Sequence, residues 1–262
     1  MKSFSKYRIL VTNDDGINAP GLKILEQIAR TISKDVWVVA PEVEQSGAGH
    51  SLTINSPLRF RKISARKFAV TGTPTDCVLA AVRAIIPGKI DLVLSGINRG
   101  GNVAEDITHS GTIAGALEGT LCDIPSIAFS QALDFSNKKP MVHWKTAELH
   151  APQIIATLIA SKWERDTMFN VNFPDCVAEK VKGIKMVAHG KRDIPKQLTK
   201  YIDPKGRPYY WMNWADEGVD ARRPDCDIKW MKEGYITVTP IKLDLTNYDV
   251  LKNLKKKVEA SF

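Results

Sequence analysis

Three unbroken runs of largely apolar residues constrain this chain more than any other feature. They are Tyr7-Arg8-Ile9-Leu10-Val11-Thr12, Val36-Trp37-Val38-Val39-Ala40 and Asp91-Leu92-Val93-Leu94. Strands that read as continuous apolar runs, without polar alternation, are buried on both faces, as parallel strands covered by helices on each side must be. The intervening segments read as those helices. Ala19-Pro20-Gly21 opens one, with proline in a first turn where its missing N–H is not needed, and Leu22, Leu25, Ile28, Ala29 and Ile32 form its core-facing stripe. Thr73-Pro74-Thr75-Asp76 opens a second, running to Ile86, and a third spans about Ser110 to Leu121 before a strand at Ser126-Ile127-Ala128-Phe129.

This alternation predicts a single α/β domain over residues 1–262. Its expected architecture is a Rossmann-like, doubly wound, mostly parallel sheet in three αβα layers. Leu58 to Val70 reads as one or two short strands able to pair as a hairpin. Beyond Gln131 the pattern loosens to a long helix over Lys145–Ser161 and strands near 168–173 and 183–187. From Lys191 to Trp230 the chain is aromatic, proline-bearing and irregular, with Tyr209-Tyr210-Trp211-Met212-Asn213-Trp214 at its centre. The expectation is a C-terminal, β-rich arm, exchanged between subunits, with a local satellite core as the alternative.

Composition excludes several classes. With 44% hydrophobic and 25% charged residues among 262, the chain is neither disordered nor low-complexity. No apolar run approaches the roughly 20 residues of a membrane span. The first residues lead straight into a strand without the pattern of an export signal, so a cytoplasmic location and no membrane partner are expected. Cys77, Cys122, Cys176 and Cys226 are scattered singly, which offers no Cys-x-x-Cys zinc or redox motif; Cys77 and Cys122 read as core packing. The formal charge of +8 suits a phosphate-bearing partner without requiring one. Lys252, Lys255, Lys256 and Lys257 read as a solvated helix face rather than a nucleic-acid patch, because no aromatic residues lie between them for bases to stack on.

In a doubly wound sheet, ligands gather at the carboxyl ends of the strands. Three polar clusters fall at that edge. Asn13-Asp14-Asp15-Gly16 follows the first strand, where a tight turn at Gly16 brings both carboxylates to one point. Two adjacent carboxylates repel unless a cation neutralises them. An Asx turn with a helix cap accounts for one aspartate but not readily for two. Gln45-Ser46-Gly47-Ala48-Gly49-His50-Ser51 follows the second strand and Ser95-Gly96-Ile97-Asn98-Arg99-Gly100-Gly101-Asn102 the third, leading to His109-Ser110-Gly111-Thr112. Ser110 starts a helix whose free N–H groups and positive dipole end suit an anion; as a lone residue it reads as a plain N-cap. Aspartates, serine and asparagine around one edge are oxygen donors, which favours Mg²⁺ or Mn²⁺ over zinc. A hard divalent ion beside a phosphate-sized site implies metal-assisted phosphoester hydrolysis, in which water of lowered pKa attacks in line.

The string Ile-Leu-Val-Thr-Asn-Asp-Asp-Gly-Ile-Asn-Ala-Pro-Gly at 9–21 resembles the opening of the SurE family, stationary-phase survival proteins with 5′-nucleotidase activity. So do Val39-Ala40-Pro41 with Gln45-Ser46-Gly47, Gly72-Thr73-Pro74-Thr75-Asp76-Cys77-Val78 and Leu94-Ser95-Gly96-Ile97-Asn98 with Gly101-Asn102. Ser110-Gly111-Thr112 with Glu118-Gly119, and Gly234-Tyr235-Ile236-Thr237-Val238-Thr239-Pro240, complete the series. The resemblance implies a cytoplasmic, metal-dependent phosphatase acting on nucleoside 5′-monophosphates, with 3′-monophosphates and short polyphosphate as further substrates. It also implies a homodimer or homotetramer with exchanged C-terminal arms, one ion per subunit, and no nucleic acid. The implied metal ligands are Asp14, Asp15, Ser46 and Asn98. Asn13, Asn102, Ser110, Gly111 and Thr112 are the candidates for holding phosphate. The general base is open between Asp14, Asp15 and the ion alone. His50 and His109 are candidate acids for the leaving alkoxide, against the ordinary reading of loop histidines as structural or solvated. His109 stands where the family pattern has tyrosine.

Rival readings fit less well. A haloacid-dehalogenase-type phosphatase needs Asp-x-Asp, whereas Asp14 and Asp15 are adjacent. A receiver domain needs an aspartate at a later strand end, where this chain has Ser95-Gly96. A basic nucleotide- or nucleic-acid-binding module without catalysis is the non-enzymatic alternative.

Overall fold

Each of the three apolar runs becomes a strand of one sheet. The computed structural model describes residues 4–192, 197–213 and 223–261. The first half of the chain forms β1 (Arg8–Thr12), α1 (Pro20–Ile32), β2 (Asp35–Pro41), the hairpin β3 (Phe60–Ser64) and β4 (Lys67–Val70), α2 (Pro74–Ala80), β5 (Leu92–Arg99), α3 (Gly111–Leu121) and β6 (Ser126–Gln131). A two-residue ribbon follows, β7 (Leu133–Asp134) with β8 (Met141–Val142), then α4 (Trp144–Ala160) and β9 (Thr167–Phe173). The rest comprises β10 (Ile184–Met186), β11 (Gln197–Ile202), β12 (Pro208–Asn213), α5 (Asp227–Lys232), β13 (Ile236–Lys242) and α6 (Tyr248–Glu259).

Nine strands lie in the order β10-β13-β9-β6-β5-β1-β2-β4-β3. The six from β9 to β4 are parallel, which confirms the three-layer α/β expectation. Helices α1 and α4 pack together on one face and α2 and α3 on the other. Ile9, Leu10, Val11, Val36, Val38 and Leu92 to Leu94 are all fully buried, as two-sided coverage requires. The hydrophobic stabilisation, roughly 1.5–3 kcal/mol for each fully buried Leu or Ile, is thus spread over both faces of the sheet.

The chain leaves β1 toward β2 on one side and returns as β5 on the other, so the strand order reverses between β1 and β5. That reversal opens a crevice at the carboxyl ends of those two strands.

Three features depart from expectation. The helix begun at Thr73 keeps α-geometry only to Ala80, then widens into π-type turns over Ala81–Ile85. The sheet acquires an antiparallel member, β13, seated between β9 and β10. The arm expected to be β-rich but irregular does contain β-structure, and it is more regular than its residues suggest: an antiparallel hairpin, β11 with β12, in which Tyr201 faces Tyr209 and Lys200 faces Tyr210. Alternation in Leu-Thr-Lys-Tyr-Ile and Tyr-Tyr-Trp-Met is what makes these strands, and the proline and glycine clusters around them obscured it. Trp214 and the remainder of 193–196 and 214–222 lie outside the described residues. Cys77 is buried as expected, and Cys122, half-buried, packs against the same core cluster.

Candidate active site

The β1–β5 crevice is built from three loops. Beyond Thr12, Asn13 is fully buried and its amide donates to the Gly16 carbonyl at 3.0 Å, which closes the turn. Gly16 adopts φ +97°, a left-handed conformation that suits glycine. Asp14 is only 4% exposed. It sits at the N-terminal end of α3, where the Thr112 hydroxyl donates to its carboxylate. A Cβ at Gly111 would lie 2.8 Å from the Asp14 Cβ, so the approach of helix and aspartate requires glycine there. Ser110 caps the same helix, its side-chain oxygen accepting from the Ile113 N–H at 3.1 Å. The free positive end of α3 is therefore aimed at the Asp14 carboxylate.

Electrostatics follow from that placement. Burial pushes the Asp14 carboxyl above its ordinary range, a rise opposed by the Thr112 hydroxyl and main-chain N–H and reinforced by the Glu44 charge. Asp15 is pushed up to about 6, first by burial and then by the charge of Asp14, against a hydrogen bond from the Arg99 N–H at 3.3 Å. Two neighbouring acids that both resist ionisation form a site of high negative potential.

The loop after β2 is tied to this turn by the Gln45 N–H, which donates to the Asp14 carbonyl at 2.8 Å. Its Ser46 hydroxyl donates to Glu44 Oε1 at 2.8 Å. At the β5 exit, the Asn98 amide nitrogen donates to the Gly100 carbonyl at 2.9 Å. Asn102 is held more firmly. Its N–H donates to Asn172 Oδ1 and its side chain to Ser130 Oγ, both at 2.8 Å, while its carbonyl accepts from Asn170 and Asn172.

These loops line one cavity of about 620 Å³, bounded among others by Asp14, Asp15, Ser46, Asn98, Asn102, His109 and Ser110. The four expected metal ligands therefore share one space. Three candidate phosphate holders do not line it. Asn13 is consumed in closing the turn, and Gly111 and Thr112 stand behind Asp14, engaged in holding its carboxylate. His50 also lies elsewhere, bonded to Glu118 Oε2 at 2.9 Å, which removes it from the candidate acids. The cavity is also lined by residues to which the sequence assigned no role, among them Glu44, Arg99, Asp106, Val142 and Trp144. Glu44 and Arg99 had a signal, standing two residues before Ser46 and directly after Asn98, whereas Asp106, Val142 and Trp144 enter the cavity from segments that follow the three clusters.

The donor chemistry fits a hard divalent cation. Ser46 gives its proton to Glu44, and Asn98 donates one amide hydrogen to Gly100, so the Ser46 hydroxyl and the Asn98 side-chain carbonyl each keep oxygen lone pairs for a cation. Among the described residues no three His, Cys, Asp or Glu side chains gather into a metal-holding group. The set is two strained carboxylates with neutral oxygens beside them, which Mg²⁺ or Mn²⁺ accepts.

Comparison with known proteins bears on this site. The family model "Survival protein SurE" matches residues 9–196. A protein named 5′-nucleotidase SurE from Paramagnetospirillum magneticum is 54% identical over 252 residues, covering 96% of this chain and 95% of its own length. One of the same name from Brucella canis is 50% identical over 243 residues, covering 93% and 95%. The crystal structure of SurE protein from Aquifex aeolicus superposes with a TM-score of 0.80 at 40% identity, covering 95% of this chain and 98% of that one. No helix among the described residues is long and apolar enough to cross a membrane.

Proposed function

The chain belongs to the SurE family, and from that membership together with the cavity we propose that it is a divalent-metal-dependent 5′-nucleotidase, hydrolysing nucleoside 5′-monophosphates to nucleoside and phosphate. The observation that carries the site assignment is the meeting of Asp14, Asp15, Ser46 and Asn98 on one cavity at the β1–β5 reversal.

In this reading Asp14, Asp15, Ser46 and Asn98 hold one Mg²⁺ or Mn²⁺ per subunit. Bound there, the cation draws negative charge off the phosphate and makes water more acidic. The protein supplies the rest. Thr112, Gly111 and the α3 N-terminus fix Asp14 and offset its charge. Ser110, whose oxygen accepts from Ile113, retains a hydroxyl proton to donate to a phosphate oxygen, and Asn102 sits rigidly beside it. Asp15, with a pKa of about 6, can exchange a proton near neutral pH, but a cation beside it lowers that value, so its main role is charge. His109 lines the cavity and is the group placed to give a proton to the leaving 5′ oxygen.

The same site suits 3′-monophosphates and short polyphosphate as secondary substrates. We further propose a cytoplasmic homodimer or homotetramer. Exposed Leu198, Ile202, Tyr210 and Trp211 on the β11–β12 hairpin support an exchanged arm, because such a surface is costly to leave in water.

The test is phosphate release from a panel of nucleotides with and without EDTA, for wild type and Asp14→Asn. The reading predicts turnover that needs the cation and that the substitution abolishes while the fold is kept. Equal turnover in EDTA contradicts it.

A further inference from the structure

The cavity is much larger than a phosphate and one ion need, and falls within the roughly 300–1,000 Å³ of sites that bury a whole small molecule. Polar groups, among them Asp14, Asp15, Ser46, Asn102, Asp106 and His109, share its lining with an apolar set. That set is Ala19 and Pro20 at the start of α1, with Val142 and Trp144 from the β8–α4 junction.

The junction is built to aim those two side chains. Val142 and Trp144 are two positions apart at a strand end and both line the cavity, whereas His143 between them bonds Asp134 Oδ2 at 2.9 Å. The short β7–β8 ribbon pairs Leu133 with Val142 and so fixes the register of the junction. On the α1 side, a Cβ at Gly21 would meet the Ile97 carbonyl oxygen at 1.9 Å, which is what demands glycine there, and would lie 3.2 Å from Trp144 Cη2, so the edge of the indole rests close against the start of α1. Trp144 is half-buried and packs on the core beneath, which fixes the ring before any ligand arrives.

We propose that Trp144 and Val142 seat the nucleoside half of the substrate, the nucleobase lying against the indole. This rests on the nucleotidase reading of the site and names which wall recognises the leaving group. Every base has a π-face, so a single preorganised aromatic gives affinity for a base with little discrimination among bases. Trp144 is the aromatic carbocyclic side chain in the cavity lining, and the other apolar lining residues, Ala19, Pro20 and Val142, are small beside it.

The experiment compares AMP with glycerol 2-phosphate, a phosphomonoester lacking a base, on the purified full chain supplied with Mg²⁺. Trp144→Leu keeps an apolar side chain at this position but removes the π-face. It should lower kcat/KM for AMP about 10- to 100-fold, mostly through KM, and leave glycerol 2-phosphate within about twofold. Trp144→Phe should restore most of the AMP turnover. Equal losses on both substrates, or undiminished AMP turnover, would overturn the assignment. Adenosine, which carries no phosphate, should quench the wild-type tryptophan fluorescence, and Trp144→Phe should abolish that quench. A quench unchanged in Trp144→Phe places the base elsewhere, whatever happens to Trp144→Leu on purification. Wild type that turns over neither ester refutes the nucleotidase reading itself, and is told apart by needing no variant.

Discussion

Arg192 grips Asp106 across 86 positions of sequence in a two-pronged fork, each guanidinium nitrogen 2.7 Å from a carboxylate oxygen. The same residue's N–H donates to Glu105 at 3.0 Å. The gripped segment, a 3₁₀ turn over Ala104–Thr108, carries one wall of the cavity. Asp106 would place an uncompensated charge beside a phosphate if Arg192 were lost. Arg192→Met should raise KM for a nucleotide about tenfold, equivalent to about 1.4 kcal/mol. Adding Asp106→Asn should recover most of it, because the offending charge is gone; steady-state kinetics showing no recovery would refute the charge argument.

Asp227 anchors that turn from the other side. It is fully buried and accepts from the N–H groups of Ala104, Gly190 and Ile228 at 2.8–2.9 Å. Asp227→Ala strands three donors, each costing roughly 1–3 kcal/mol, so urea unfolding should show a loss of about 3 kcal/mol or more. A loss below about 1 kcal/mol would mean that the turn is held by other contacts.

Thr112 donates its hydroxyl hydrogen to the Asp14 carboxylate, which makes it a support for that ligand. Thr112→Val keeps the volume and removes the hydroxyl, and should weaken Mn²⁺ binding about 10- to 100-fold. Thr112→Ser should restore it. If calorimetry finds Thr112→Val at wild-type affinity, the hydrogen bond to Asp14 contributes nothing to the site.

The raised carboxyls make the cation-free protein pH-sensitive in a definite direction. Asp14 and Asp15 hold protons in the folded state at pH values where the unfolded chain has released them, about pH 4 upward. Folded-state stability from these groups is thus present at acid pH and lost as pH rises toward and through about 6. A cation removes that penalty. The rise in Tm on adding Mg²⁺ should therefore grow between pH 5 and 7.5, and an increment constant across that range would contradict the pairing of these carboxylates.

Some of this was legible in the sequence for a simple reason. Parallel strands buried on both faces must be apolar throughout, so β1, β2 and β5 announced themselves, and with them the sheet edge where Asp14, Asp15 and Asn98 would lie. The aspartate pair stood out because adjacency is visible in one dimension. Gly111 and Thr112 stood out too, as an anion-suited helix end, and the fold adds that this end lies against the Asp14 carboxylate. Arg192, Asp106, Asp227 and Trp144 were not legible, since each acts through a residue, turn or cavity far from it along the chain. The β11–β12 hairpin was hidden by the prolines and glycines around it.

Calorimetric titration of Mn²⁺ into the metal-free full chain tests the central claim most directly. Wild type should bind one ion per chain, and the double substitution Asp14→Asn, Asp15→Asn should abolish that binding while leaving the far-ultraviolet circular dichroism unchanged. Stoichiometric binding that persists in the doubly substituted protein would show that these two carboxylates are not what captures the cation.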